Sequence, residues 1–494
     1  MFVGIDCGTQ STKVIIFEVA TGQVISRGQA SHDLITAEDG TREQHPSWWI
    51  DALSKALSIA LDNEAVDASV IKGIGVSGQQ HGLVVLDKKD QVIRPAKLWC
   101  DTSTHRENAQ LIEQVGGNHA MYQQIGTQLK TGYTASKLLW LKEQESENFA
   151  KIESILLPHD YINFWLTGEK TTEAGDASGT GYFDIRNKRW SQTVLGAIDD
   201  STSLIDKLPR IIDAHQGAGV LCAKSAAVLG LKAGIIVASG GGDNMMGAIG
   251  TGNVEQGVIT ISLGTSGTVA ATSETFLGDE SGQIASFCNS TNHWLPLICT
   301  MNLTNVTGSV QQLTNVTNSN FDTMLAKSTL GAAGLMMLPF FNGERTPDLP
   351  QAKGSLQGIS GQNLTTENLC RAAVEGVSFG LKYGYQLLQQ KGLAAQQIRL
   401  IGGGSNSLQW RQIIADMLNV PVVVPKESEA AALGAALQAQ WSYQIANNNS
   451  TSLADICDNG VKFLLGSKLE PKLSNATLYD ELFMEYQAQK FKLY

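Results

Sequence analysis

One short pattern occurs twice in this chain, near the start of each half. Val3-Gly4-Ile5-Asp6-Cys7-Gly8-Thr9 is an apolar run that empties into a Gly-Thr turn, and Val14 to Phe17 is apolar again. Thr260-Ile261-Ser262-Leu263-Gly264-Thr265 repeats it. Apolar runs bounded by glycine read as buried strands joined by a turn. A chain that begins both halves on one strand–turn–strand unit is constrained to two similar domains, each offering its turn to a shared cleft. Glycines after a strand let backbone approach a ligand, and successive N–H groups there cradle phosphate oxygens.

The stretch Gly234 to Thr268 adds a second element. Its first apolar run, Ile235 to Ala238, ends in Ser239-Gly240-Gly241-Gly242-Asp243-Asn244. Its second, Val258 to Leu263, ends in Gly264-Thr265-Ser266-Gly267-Thr268. The segment therefore offers a carboxylate on a tight turn and then a phosphate cradle. Phosphoryl transfer to a hydroxyl needs that pair, a base for the acceptor and donors for the phosphates. Taken alone, the same turns fit strand ends with no ligand, because Gly-rich turns are common. Asp6 has two readings as well. It is a solvated residue of an ordinary hairpin, or the carboxylate of a phosphate loop holding Mg²⁺, a hard cation that prefers oxygen ligands.

Elsewhere the chain alternates strands and helices. Trp49, Leu53, Ala56, Leu57, Ala60 and Leu61 share one helical face. Ile71 to Val76 reads as a strand emptying into Ser77-Gly78-Gln79-Gln80-His81-Gly82, where Gln80 and His81 have donors and acceptors for sugar hydroxyls. Pro95 to Trp99 reads as a strand ending at Cys100-Asp101, and residues 132 to 144 as a capped helix start. Thr171 to Phe183 reads as irregular structure near the cleft, and Met336 to Phe341 as a strand before a polar loop. Thr365 and Thr366 are N-cap candidates for a helix of roughly 24 residues. Ile398 to Ile401 ends in Gly402-Gly403-Gly404-Ser405-Asn406-Ser407 and passes into a helix. A third glycine turn so placed suits a nucleotide at a helix N-terminus. The C-terminal tail reads as an ordinary helix.

Composition limits the partners. A net charge of -11 argues against a nucleic-acid or acidic-membrane surface, so no nucleic acid and no membrane are expected. Seven scattered cysteines form no CxxC or Cys/His cluster, which indicates neither zinc nor a disulfide framework. The chain enters MFVGIDCGT without a basic and apolar leader, and no apolar run reaches the roughly 18 residues of a membrane span. A reducing cytoplasm is the expected compartment.

Taken together the motifs resemble the FGGY family of carbohydrate kinases, and within it the bacterial xylulokinase group, over residues 1 to about 440. The resemblance is carried by GIDCGTQSTK at 4–13, SGQQHG at 77–82, LWCD at 98–101, GYTASKLLWLKEQ at 132–144, GGGDN at 240–244, SLGTSG at 262–267, GERTP at 343–347, GSLQGISGQNLTTENLCRAAVE at 354–375 and IGGGSNSLQWRQIIAD at 401–416. It implies an α/β fold of two ribonuclease-H-like domains, as in actin and the heat-shock-chaperone ATPases, with a central cleft. Residues 1–246 would bind the sugar and carry the first phosphate hairpin, and residues 247–494 would bind ATP. It implies that Asp243 is the general base and that Asp6 holds Mg²⁺ through water. Gly8, Thr9, Gly264 and Thr265 would face the phosphates of ATP, with Gly403, Gly404 and Asn406 by the adenosine. Gln80, His81, Asp101, Asp243 and Asn244 would line the sugar. The implied reaction converts D-xylulose to D-xylulose 5-phosphate, and a homodimer is compatible with it. Two positions depart from the group's usual pattern: Gln80 stands where Met is usual and Cys100 where Asn is usual. The Asn-Gln-Arg-Glu stretch of glycerol kinases is absent. Another ketose or polyol kinase of the family is the alternative substrate reading. A sugar-independent ATPase switch of the same fold is the alternative function.

Overall fold

The computed structural model describes all of residues 1–494. Each half is built on a sheet with the same core strand order. In the N-terminal half, strand Phe2–Cys7 runs antiparallel to Ser11–Glu18, which pairs in turn with Gln23–Ser31. On its other side Phe2–Cys7 pairs in parallel with Gly73–Gly78, and Ile236–Ala238 lies parallel beyond that strand. In the C-terminal half the hairpin Val258–Leu263 and Gly267–Ala271 pairs antiparallel with Trp294–Thr300. Gln397–Ile401 and then Val422–Val423 extend it in parallel. Three antiparallel strands followed by two parallel ones thus occur twice, as the repeated motif demands. Each sheet gains one antiparallel edge strand, Gly217–Val220 in the first and Ala285–Cys288 in the second.

Register puts both turns at the carboxyl ends of parallel strands, where open α/β sheets bind ligands. Asp6 lies opposite Lys13 and Ser77, and Ser262 lies opposite Ile401. Gly241–Gly242 returns to pair with Ser77–Gly78, which delivers Asp243 to the same end of the first sheet.

Helix Pro46–Leu61 covers one face of the first sheet with Trp49, Leu53, Ala56, Leu57 and Ala60 buried. The other face is covered by helix Ala430–Ala446, which follows the second sheet in the chain. Contact there is backbone to backbone. A Cβ on Gly4 would stand 1.9 Å from Ala432 O, and one on Gly75 would stand 1.9 Å from Ala435 O. Helix Asp243–Gly250 crosses the same helix through a second glycine pair, Gly250 against Ala430 and Gly434 against Met246. In the C-terminal half Thr365 caps helix Thr366–Gln390, which has 25 residues. The C-terminal helix Leu473–Leu493 is more than a tail. Tyr479, Phe483 and Tyr486 are buried, and the Tyr479 hydroxyl joins Glu375 and Arg371 at 2.9 and 3.0 Å.

Several local expectations change. The strand expected at 95–99 shrinks to Ala96–Lys97, and that at 336–341 to Met336–Leu338. Helix Thr134–Gln144 begins without a side-chain cap. The segment expected to be irregular contains strand Thr171–Glu173 and the turn Ala174–Ala177, capped by the Glu173 carboxylate. The third glycine turn enters a 3₁₀ turn, Gly403–Asn406, before helix Leu408–Leu418 starts on Ser407. No helix is long and apolar enough to cross a membrane.

Candidate active site

The two hairpin tips supply unpaired backbone donors. In the first, Gly8 N is spent on Ser11 O at 3.1 Å, whereas the N–H groups of Thr9 and Gln10 bond to nothing in the chain. The Thr9 side chain is engaged too. Its hydroxyl donates to Gln79 at 3.2 Å and accepts from Trp99 Nε1 at 2.9 Å. Gln44 Nε2 holds its carbonyl at 2.8 Å. The first hairpin therefore presents main chain, not the Thr9 hydroxyl. In the second, the N–H groups of Gly264, Thr265 and Ser266 are all unpaired and the last two residues are exposed. Thr304 steadies that loop by donating N–H and hydroxyl to Gly264 O, at 3.1 and 2.8 Å. A row of free N–H groups is an anion cradle.

Asp6 stands at the base of the first hairpin. Ser77 Oγ donates to its Oδ1 at 2.8 Å, and its other oxygen has no partner in the chain. Burial holds its proton affinity above that of a free carboxylate, against the Ser77 hydroxyl and Lys13. One free carboxylate oxygen beside an anion cradle fits Mg²⁺, which keeps several waters and needs only one or two protein carboxylates besides phosphate. No group of three or more His, Cys, Asp or Glu side chains is arranged to hold a metal ion.

Asp243 is the first residue of its helix rather than part of a tight turn. The turn before it is possible only for glycine. Gly240 has φ 73°, and a Cβ on Gly242 would stand 2.6 Å from Gln80 Cγ. Asn244 donates to Asp243 Oδ1 from its backbone N at 2.8 Å and from Nδ2 at 3.1 Å, leaving Oδ2 without a donor. A helix N-terminus favours the ionised carboxylate. Burial, and after it the charges of Asp6 and Asp176, outweigh that and push Asp243 up to about 7. A base of that strength is matched to proton abstraction near neutral pH.

The polar group beside Asp243 draws on both halves. Asn244 Nδ2 also donates to Gln80 Oε1 at 2.8 Å, so Gln80, Asn244 and Asp243 form one chain of contacts. His81 sits at φ 64°, held there by Lys137 Nζ and Thr134 Oγ1, which donate to its carbonyl at 2.6 and 3.2 Å. Its ring stacks on Tyr133 at 4.5 Å and lies 6.1 Å from Phe287 of the C-terminal half. Burial, with Lys137 next, pushes His81 down to about 3, so the ring is neutral and keeps one donor and one acceptor. Asp101 does not join this group. It is 0% exposed and its oxygens are taken by Arg42 N, Lys97 Nζ and Ser103. Its place is behind the loop carrying Trp99 and Cys100.

Gly403, Gly404 and Asn406 line a cleft of about 590 Å³ together with Thr304, Asn318 and Trp410. Thr304 thus joins the second phosphate turn to this cleft. Sequence patterns gave no sign of Thr304, Lys137, Tyr133 or Phe287 as individual site residues. Each acts from an ordinary strand or helix, and only chain folding brings it in.

Residues 1–250 match the N-terminal domain, and residues 259–443 the C-terminal domain, of the FGGY family of carbohydrate kinases. The chain belongs to that family. It is an ATP-dependent carbohydrate kinase with the two-domain actin-like ATPase fold. A xylulose kinase of Haemophilus influenzae is 46% identical over 498 residues, covering 100% of both chains. A solved structure described as a "xyloylose kinase" from Brucella ovis superposes with a TM-score of 0.90 at 31% identity, covering 99% of this chain and 98% of that one. A glycerol kinase of Plasmodium falciparum solved with ADP shares the fold at a TM-score of 0.89 and 20% identity, over 99% and 97% of the two chains.

Proposed function

We propose that this kinase transfers the γ-phosphoryl group of ATP to D-xylulose, giving D-xylulose 5-phosphate in the cytoplasm. The observation that carries the reading is Asp243. It is a carboxylate pushed to about 7, with one oxygen fixed by Asn244 and the other free, at the same end of the first sheet as the hairpin tip whose Thr9 and Gln10 N–H groups are unpaired. The curated relatives named xylulose kinases support the substrate.

In this reading residues 1–246 bind the sugar and residues 247–494 bind ATP. Gln80, His81 and Asn244 hold the sugar hydroxyls, and Asp101 supports them from behind. Asp243 Oδ2 takes the proton of the terminal hydroxyl as its oxygen attacks. The N–H groups of Thr9, Gln10, Gly264, Thr265 and Ser266 hold phosphate oxygens, and the adenosine lies along Gly403, Gly404 and Asn406. Asp6 would hold Mg²⁺ through water, and the bound ion would neutralise phosphate charge. A loose phosphoryl-transfer transition state asks the protein for position and charge more than for covalent help. Closure of the halves over the sugar would keep out water, the competing acceptor. Gln80 and Cys100 favour, as a second reading, another ketose handled by the same machinery.

Removing the base tests this. Asp243→Ala should lower turnover at least about 10²-fold while ATP binding is retained. Near-normal turnover in that variant would refute the assignment.

A further inference from the structure

Behind the glycine turn that leads to Asp243 lies a charged group that none of these steps uses. His159, Asp160, Glu173 and Asp176 are each at most 1% exposed. His159 Nδ1 lies 2.5 Å from Asp176 Oδ2, and its Nε2 lies 3.1 Å from Asp160 Oδ1. Asp160 Oδ2 accepts from Leu157 N, and Glu173 accepts from Gly175 N and Asp176 N. Asp176 Oδ1 is buried and has no donor in hydrogen-bond geometry. Gln80 Nε2 is buried with no acceptor. Both face one glycine: a Cβ on Gly242 would stand 2.6 Å from Gln80 Cγ and 3.0 Å from Asp176 Oδ1. An unpaired buried donor and an unpaired buried carboxylate oxygen are each costly, and a small side-chain adjustment pairs them. Burial raises the Asp176 carboxyl well above the usual carboxylate range, and the Gln80 amide acts against that, as a donor does.

An amide has two unlike ends, so this pairing carries direction. We infer that Asp176, clamped by His159, is a positioning residue for the base: it takes Gln80 Nε2, so that Gln80 Oε1 faces Asn244 Nδ2 and Asn244 turns its amide protons to Gln80 and Asp243. The chain would run Asp176 Oδ1, Gln80, Asn244, Asp243 Oδ1; its Gln80–Asn244 and Asn244–Asp243 links stand at 2.8 and 3.1 Å, and the Gln80–Asp176 link is the inferred one. A donor at Asp176 would turn Gln80 over. Asn244 would then have to aim its own oxygen at the Asp243 carboxylate, and the base would lose its orientation. The inference rests on Asp243 being the base. The ionisable groups facing the relay are His159 and Asp160 of helix Pro158–Thr167, Glu173 of its short strand, and Asp243 itself.

Gln80→Glu tests the direction. The new carboxylate keeps an acceptor for Asn244 but loses the donor for Asp176. At pH 8.5, kcat/KM for the sugar should fall roughly tenfold relative to the unmodified enzyme, the worth of one bond to a charged group. As pH falls to 6 the variant-to-unmodified ratio should recover, because the new carboxyl takes a proton and donates again. KM for ATP should barely change. A ratio flat with pH, or equal rises in both KM values, would overturn the relay. A second arm uses Asp176→Asn alone and combined with Gln80→Met. The loss from Asp176→Asn should largely vanish in the Gln80→Met background, and additive losses would overturn the relay. An unmodified enzyme with no sugar-dependent ADP release would instead sink the kinase reading beneath it.

Discussion

Asp243 and His81 are ordinary residue types made unusual by where the backbone puts them. The raised proton affinity of Asp243 comes from burial and then from two carboxylate neighbours, Asp6 and Asp176, and suits its proposed role as the base. A base works deprotonated. With its pKa at about 7 in the free enzyme, log kcat/KM for the sugar should lose one unit per pH unit below about 7 and level off above it. A pH–rate profile flat from 5.5 to 8.5 would contradict that placement. His81 is neutral, held at positive φ, stacked on Tyr133 and close to Phe287 of the other half, all of which serves position, not proton transfer. His81→Ala should raise the sugar KM far more than the ATP KM, and equal rises measured by initial rates would argue for a purely structural role. The glycine turns and the two hydroxyl-rich tips were readable from sequence because glycine and apolar runs leave a local mark. His159 and Asp176 were not, because a buried polar cluster depends on partners far along the chain.

At the scale of elements, two helices matter most. Helix Asp243–Gly250 carries the base at one end and a glycine crossing at the other. Helix Ala430–Ala446 forms the other side of that crossing and also covers the first sheet. The second helix is apolar nearly all round, Ala430-Ala431-Ala432-Leu433-Gly434-Ala435-Ala436, so no face marks its partner. That is why its packing on the opposite half was not readable. Helix Pro46–Leu61, with one apolar face, was readable in both respects. A side chain at the crossing must part the backbones, since a Cβ on Gly434 would stand 1.8 Å from Met246 O. Gly434→Val should cost on the order of 1–3 kcal/mol of stability, the usual range for overpacking. It should also depress turnover, because the helix it pushes holds Asp243. Unchanged urea unfolding and unchanged turnover would show that the crossing is looser than it stands here.

Over the whole molecule, the repeat makes two sheets of like strand order, and the halves touch beside His81. Phe287 of the second half lies by His81, Cys288 N donates to the Ser178 hydroxyl at 3.1 Å, and Trp294 Nε1 donates to Ile185 O at 3.1 Å. In the proposed reading the sugar wall takes residues from both halves, so phosphoryl transfer is expected to depend on the sugar being bound. The most direct measurement is ADP release from MgATP with D-xylulose, L-xylulose, D-ribulose, L-ribulose, glycerol and no sugar. The account predicts turnover that depends strongly on D-xylulose and is low without sugar. Equal turnover with and without every sugar would contradict it.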